Sequence, residues 1–118
     1  MATLNPYLTF NGNTRDAMNF YKECLGGELE MIIVGESPVA DQVPPEMKDM
    51  ILHSSLKSNG LELMATDMQP EALNVGNDVH MCLGFPTLEE TQQHFDKLAA
   101  GGKVNQPLHE MFFGFIGE

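Results

Sequence analysis

The sequence predicts an α+β fold: two tandem βαβββ modules whose curled mixed sheets surround a cleft, with the second module incomplete. Three observations predict it. The first is an internal repeat at an offset of 75 positions. Asn19-Phe20-Tyr21-Lys22 followed by Gly26-Gly27 answers to His94-Phe95-Asp96-Lys97 followed by Gly101-Gly102, and the same offset carries Leu8 onto Leu83 and Phe10 onto Phe85. The second is the shared order of patterns, strand then helix then a Gly-Gly stop. The third is Asn59-Gly60 between two apolar runs, the strongest short hairpin signal there is. A repeat at this period means two copies of one supersecondary unit. Such units fold by burying their apolar faces together, which makes the space between them the natural place for a site.

Tyr7-Leu8-Thr9-Phe10 is a short β-prone run ended by Asn11-Gly12-Asn13. Asn13 or Thr14 caps the helix that follows. In that helix Ala17, Met18, Phe20, Tyr21, Cys24 and Leu25 keep to one broad face, and Gly26-Gly27 stops it. Leu29 to Val34 is apolar and β-branched, hence a strand. Ser37 to Met50 is a loop in which Pro38 and Pro44-Pro45 exclude a helix or a paired strand. Loops of this length are often lids or binding loops. Ile51 to Lys57 and Leu61 to Thr66 are strands joined by Ser58-Asn59-Gly60. Asp67 to Asn77 is polar and links the modules.

The pattern then restarts with a strand from Val79 to Phe85. Thr87 with Glu90 three residues on is a capping-box match opening a helix from Leu88 to Ala100. Gly101-Gly102 stops it, and a strand starts at Lys103. Only 16 residues follow Gly102, so the repeat leaves the second module about two strands short. The aromatic stretch Met111 to Ile116 is expected to pack in a sheet, across a dimer interface. The expected limits are residues 1–67 for the first module, 68–77 for the linker and 78–118 for the second, all within one domain.

Six basic against 17 acidic residues give a formal charge of −11. Nucleic-acid binding is led by Lys and Arg neutralising phosphates, so this balance argues against it. It argues equally against anionic membrane surfaces. No apolar run approaches the roughly 20 residues of a membrane span and no secretory pattern opens the chain, so the expected location is cytoplasmic. Two cysteines, Cys24 in a helix and Cys82 in a strand, fit reduced buried thiols. Phosphate loop, dinucleotide fingerprint and nucleophile elbow are all missing from the sequence.

Two βαβββ units in tandem resemble the vicinal-oxygen-chelate superfamily of glyoxalases, bleomycin-resistance proteins and dioxygenases. The residues resemble its PhnB-like subgroup most. The resemblance rests on Pro6-Tyr7-Leu8-Thr9-Phe10-Asn11-Gly12-Asn13, Ala17-Met18-Asn19-Phe20-Tyr21-Lys22 and Leu25-Gly26-Gly27-Glu28-Leu29. Leu63-Met64-Ala65-Thr66-Asp67 and Gly101-Gly102-Lys103-Val104 through Pro107-Leu108 extend it along the chain.

The resemblance implies a cleft that, in metal-using relatives, is lined by a ligand on the first strand and a Glu on the last strand of each module. Carried over residue by residue, the second module's first-strand position falls on His80 and the first module's on Asn5. The first module's Glu falls on Glu62, or a slip of two puts Met64 there. The fourth position lies in a strand outside the sequence. Asparagine is a poor partner for a transition metal, and stable sites normally need three protein ligands. His53, on the strand that pairs with the Glu62 strand, is a further cleft candidate, as are Asn5 and Met64 for a ligand. His94 answers to Asn19 and is expected at the surface. His109 and Glu110 point to opposite sheet faces.

The expected function is binding of a small molecule in the cleft, with no catalytic residue named and no cofactor assigned. The alternative is a metal-dependent lyase, isomerase or dioxygenase in which Zn, Mn, Ni or Fe is held by His80 and Glu62 with help from a tail or partner chain. A third reading is an inactive copy that only dimerises. A homodimer is expected under each.

Overall fold

The structure is a computed structural model and describes residues 2–68, 72–112 and 114–118. Its order is β1 (Tyr7–Thr9), α1 (Thr14–Leu25), β2 (Glu28–Ile33), β3 (Ile51–Ser58), β4 (Leu61–Thr66), α2 (Leu88–Ala99), β5 (His109–Met111) and β6 (Gly114–Ile116). The chain divides into two compact units, residues 1–80 and 81–118.

The first unit is a βαβββ module. Its four strands run in the order β1-β4-β3-β2, with β1 parallel to β4 and the other pairs antiparallel. The β3–β4 turn is the two-residue Asn59-Gly60 turn, with Ser58 opposite Leu61. Both turn residues have positive φ, 47° and 88°, the mirror-image turn that matches strand twist. One sheet face carries Leu8, Ala65, Leu63, Leu56 and Leu29. Helix α1 lays Met18, Tyr21 and Leu25 on that face, and Met18, Leu56 and Ala65 are fully buried there.

Gly26 and Gly27 end α1 with positive φ, the backbone that glycine adopts without strain. Gly27 does more than stop the helix: a Cβ there would run into the carbonyl oxygen of Lys57, so β2 starts in direct contact with β3. The prolines of the 37–50 loop forbid a long helix but not single 3-10 turns. Ala40–Gln42 and Pro45–Met47 form two, the second opened by its own proline.

Asn13 does not cap α1 with its side chain. The cap comes from Asp67, 53 residues on. Its Oδ1 accepts from the Thr14 N–H at 3.0 Å and the Thr14 hydroxyl at 2.6 Å, and its Oδ2 accepts from the Ile51 N–H at 2.9 Å. The Asp67 N–H in turn donates to the Ile51 carbonyl at 2.9 Å. Asp67, expected to open a polar linker, is instead buried and joins the start of α1, the start of β3 and the end of β4.

In the second unit Thr87 caps α2 as expected, accepting from the Glu90 N–H at 3.1 Å. Residues 79–85 are not a strand: a strand needs a ladder partner, and none pairs with them among the described residues. β1, their counterpart in the first unit, takes its ladder from β4. The strand expected from Lys103 starts instead at His109, where β5 and β6 form a hairpin. The hairpin is extended by Asn105 and Gln106 N–H groups donating to the Glu118 carbonyl. It comes close to α2, since a Cβ on Gly117 would lie 2.6 Å from the Phe95 ring.

Candidate functional site

The side chains that alternate away from α1 form the open face of the first sheet. Its middle row runs Tyr7, Met64, Ser55, Glu30 across β1, β4, β3 and β2. On one side lies the charged row Glu62, Lys57, Glu28. On the other, Thr9 pairs with Thr66 and His53 with Ile32. Tyr7 is 52% exposed and Ile32 48%, while Met64, Glu62 and His53 are half-buried. The face is thus an apolar strip of Tyr7 and Met64 with ionisable groups on both flanks.

Two side-chain contacts order it. The Ser55 hydroxyl, itself buried, donates to Glu62 Oε2 at 2.8 Å. The Tyr7 hydroxyl lies 3.4 Å from His53 Nδ1, with the two rings 5.7 Å apart and tilted by 52°. Both contacts reach from the middle row to a flanking row. Lys57 stands directly between Glu28 and Glu62 in register.

Of the residues expected at a site, His53, Glu62 and Met64 share this face. Asn5 sits two residues before Tyr7, half-buried, its Nδ2 donating to Thr3 Oγ1 at 3.2 Å. His80 is exposed and outside any strand. Tyr7 and Ser55 were not among the expected residues. The signal was present, since Tyr7 is two residues on from Asn5 and Ser55 two on from His53 in β3.

The other histidines are committed locally. His94 is not a bare surface group: its Nδ1–H donates to the Glu90 carbonyl at 2.8 Å and its ring stacks on Phe85 at 4.3 Å. His109 Nδ1–H donates to the Pro107 carbonyl at 2.7 Å. Cys24 is buried and Cys82 exposed.

A metal does not fit these residues. Among the described residues no three His, Cys, Asp or Glu side chains gather where they can hold an ion. Glu62 has one oxygen committed to Ser55 and a cationic Lys57 as its cross-strand neighbour. A transition-metal site normally needs three protein ligands.

Residues 3–117 match the profile of the Glyoxalase/Bleomycin resistance protein/Dioxygenase superfamily. The chain belongs to this superfamily. It is 33% identical to Protein YjdN of Escherichia coli K12 over 93% of this chain and 81% of that protein. It is also similar to the crystal structure of protein PA1353 from Pseudomonas aeruginosa, at 36% identity and a TM-score of 0.82, covering 99% of this chain and 87% of that one. The PhnB protein from Bacillus cereus shares the fold at 24% identity and a TM-score of 0.72, over 98% and 88% of the two chains. The mixed α+β fold, a curled four-strand sheet with two helices, is supported by these neighbours. Members of the superfamily bind small molecules, commonly dimerise and often use divalent metals. Among the described residues no helix is long and apolar enough to cross a membrane.

Proposed function

We propose that this superfamily member is a small-molecule-binding protein whose ligand lies on the open face of the first sheet. The whole chain, 1–118, acts as one domain of this type, in the cytoplasm. The observation that carries the proposal is the middle row of that face. Tyr7 and Met64 offer adaptable apolar surface, and Ser55 and His53 beside them offer fixed polar atoms. An apolar strip with a few oriented polar groups is the usual composition of a ligand site. Bleomycin-resistance-type relatives bind without any metal, and the donor set here supports the same mode over the metal-dependent lyase, isomerase or dioxygenase.

A fragment library screened by thermal shift on the full chain tests this. Hits are expected to raise the melting temperature of the parent and to lose about tenfold in affinity in Met64→Gln, whose fold survives because Met64 is only half-buried. Hits that bind Met64→Gln as tightly as the parent place the ligand elsewhere.

Metal analysis checks the other branch. Purified protein is expected to carry far less than one equivalent of Zn, Mn, Ni or Fe, with His80→Ala no different from the parent. A stoichiometric metal lost in His80→Ala supports the metal-dependent reading instead.

The protein is proposed to work as a homodimer. Val79, Met81 and Leu83 alternate at 80%, 54% and 43% exposure along a stretch with no ladder partner among the described residues, apolar side chains that a second copy can cover. Light scattering is expected to give about twice the 13.0 kDa chain mass, and the chain mass itself overturns the dimer.

A further inference from the structure

We infer that the open face recognises a flat ligand carrying a hydrogen-bond donor at one end and an acceptor at the other. This rests on the proposed binding face and adds the chemistry of its two ends.

Glu62 supplies the first end. Its Oε2 is occupied by the Ser55 hydroxyl, which is buried and holds the carboxylate in one orientation. Oε1 has no partner among the described residues. A carboxylate oxygen only accepts, so the matching ligand group is a hydroxyl, an amine or an amide N–H.

His53 supplies the second end. The Tyr7 hydroxyl lies 3.4 Å from Nδ1, where it donates to or accepts from the ring according to the tautomer. Taking Tyr7 as the donor puts the ring proton on Nε2, an atom with no partner among the described residues. The outward group is therefore an N–H donor, and it matches a ligand carbonyl or other acceptor. Ser55 and Tyr7 are positioning residues, each setting the group beside it.

The sheet sets the length between the ends. Glu62 is in register with Lys57, and His53 lies four residues before Lys57 on β3. At about 3.3 Å per residue the two rows are about 13 Å apart at the backbone. Ser55 draws Glu62 and Tyr7 draws His53 toward the middle row, so the two ends stand closer than the backbone rows. A two-ring body lying over Met64 and the Tyr7 ring spans that distance. Such a ligand needs no net charge, because a hydroxyl or an amide N–H satisfies the carboxylate oxygen as an amine does.

The test uses three probes on the full chain: 6-hydroxy-2-acetonaphthone, which has both ends, 2-acetonaphthone, which lacks the donor, and 2-naphthol, which lacks the carbonyl. Affinities come from fluorescence titration, and amide chemical shifts locate each probe. The two-ended probe is expected to bind about tenfold more tightly than either truncated one, the worth of one well-placed hydrogen bond. In Glu62→Ala no side-chain donor or acceptor is left at that end, so the advantage over 2-acetonaphthone disappears while 2-acetonaphthone itself is unaffected. In Tyr7→Phe the advantage over 2-naphthol shrinks while 2-naphthol retains most of its affinity. Nitrogen shifts of His53 at mildly alkaline pH are expected to show an unprotonated Nδ1 in the parent and a tautomer mixture in Tyr7→Phe. Equal affinity for all three probes, with shifts still centred on the open face, overturns the two-ended assignment and leaves the binding face standing. A protonated Nδ1 in the parent overturns the His53 half alone. Shifts centred away from this face overturn the face itself.

Discussion

At the scale of single residues, Asp67 joins three elements of the first unit through one side chain. One carboxylate accepts from two backbone N–H groups and a hydroxyl, all inside the protein, and joins segments far apart in sequence. Hydrogen bonds to a charged group are each worth about 1.5–3 kcal/mol net, and a buried donor left without an acceptor costs more still. Asp67→Ala is therefore expected to lower stability by about 3–5 kcal/mol in urea denaturation. Asp67→Asn keeps one acceptor oxygen and is expected to lose roughly half of that. A loss under 1 kcal/mol for the alanine variant would mean the three contacts do not hold in solution. Little in the sequence marked this role. Asp67 looked like the first residue of a polar linker, because a carboxylate after a strand reads as a turn. What decides its place is the approach of the α1 N-terminus in three dimensions, which no local pattern reports.

The same contrast separates the two glycines after α1, where the element scale takes over. The Gly-Gly pair was legible as a helix stop, yet the two positions differ physically. Gly26 has φ 73° and open space around its Cβ position. Gly26→Ala costs only the backbone strain, about 1–3 kcal/mol, since φ 73° with ψ −166° is a region open essentially to glycine alone. Gly27 has φ 94° and meets the Lys57 carbonyl. Gly27→Ala adds a backbone collision that no rotamer relieves, and thermal denaturation is expected to show a loss of at least 3 kcal/mol or failure to fold. Equal effects at the two sites would contradict the close β2–β3 approach. In the second unit, Thr87→Ala removes the side-chain cap of α2 and is expected to cost about 1 kcal/mol.

Elements held by local signals were readable from the sequence, and those held by distant partners were not. The α1 and α2 stripes, the Asn59-Gly60 turn and the strands β3 and β4 came from periodicity and turn chemistry, and they formed within a residue or two of their expected bounds. The strand expected over 79–85 has the right alternation but no ladder partner among the described residues. Residues 103–108 have none of β character beyond Val104, and the chain becomes a strand only at His109, where β6 returns to pair with it.

For the molecule as a whole, the internal repeat was the decisive signal for fold, and superfamily membership agrees with it. The candidate site was half legible. The sequence groups His53, Glu62 and Met64 as candidates for one cleft, but their common face is also shaped by Tyr7 and Ser55. Those two carry no metal-site signature, because their part is to orient neighbours. The formal charge of −11 places this face in an anionic molecule. That favours neutral and cationic ligands over phosphates and carboxylates through long-range repulsion, an effect that weakens as salt rises.

The central claim is that the open face of the first sheet is where a small molecule binds. The most direct measurement is an amide chemical-shift map of the isotope-labelled full chain against a fragment library. Binding fragments are expected to move the amides of Tyr7, His53, Ser55, Glu62 and Met64 first and furthest, with those of α1 little affected. Fragments that bind while moving residues off this face, or a full library that moves none of these five, would contradict it.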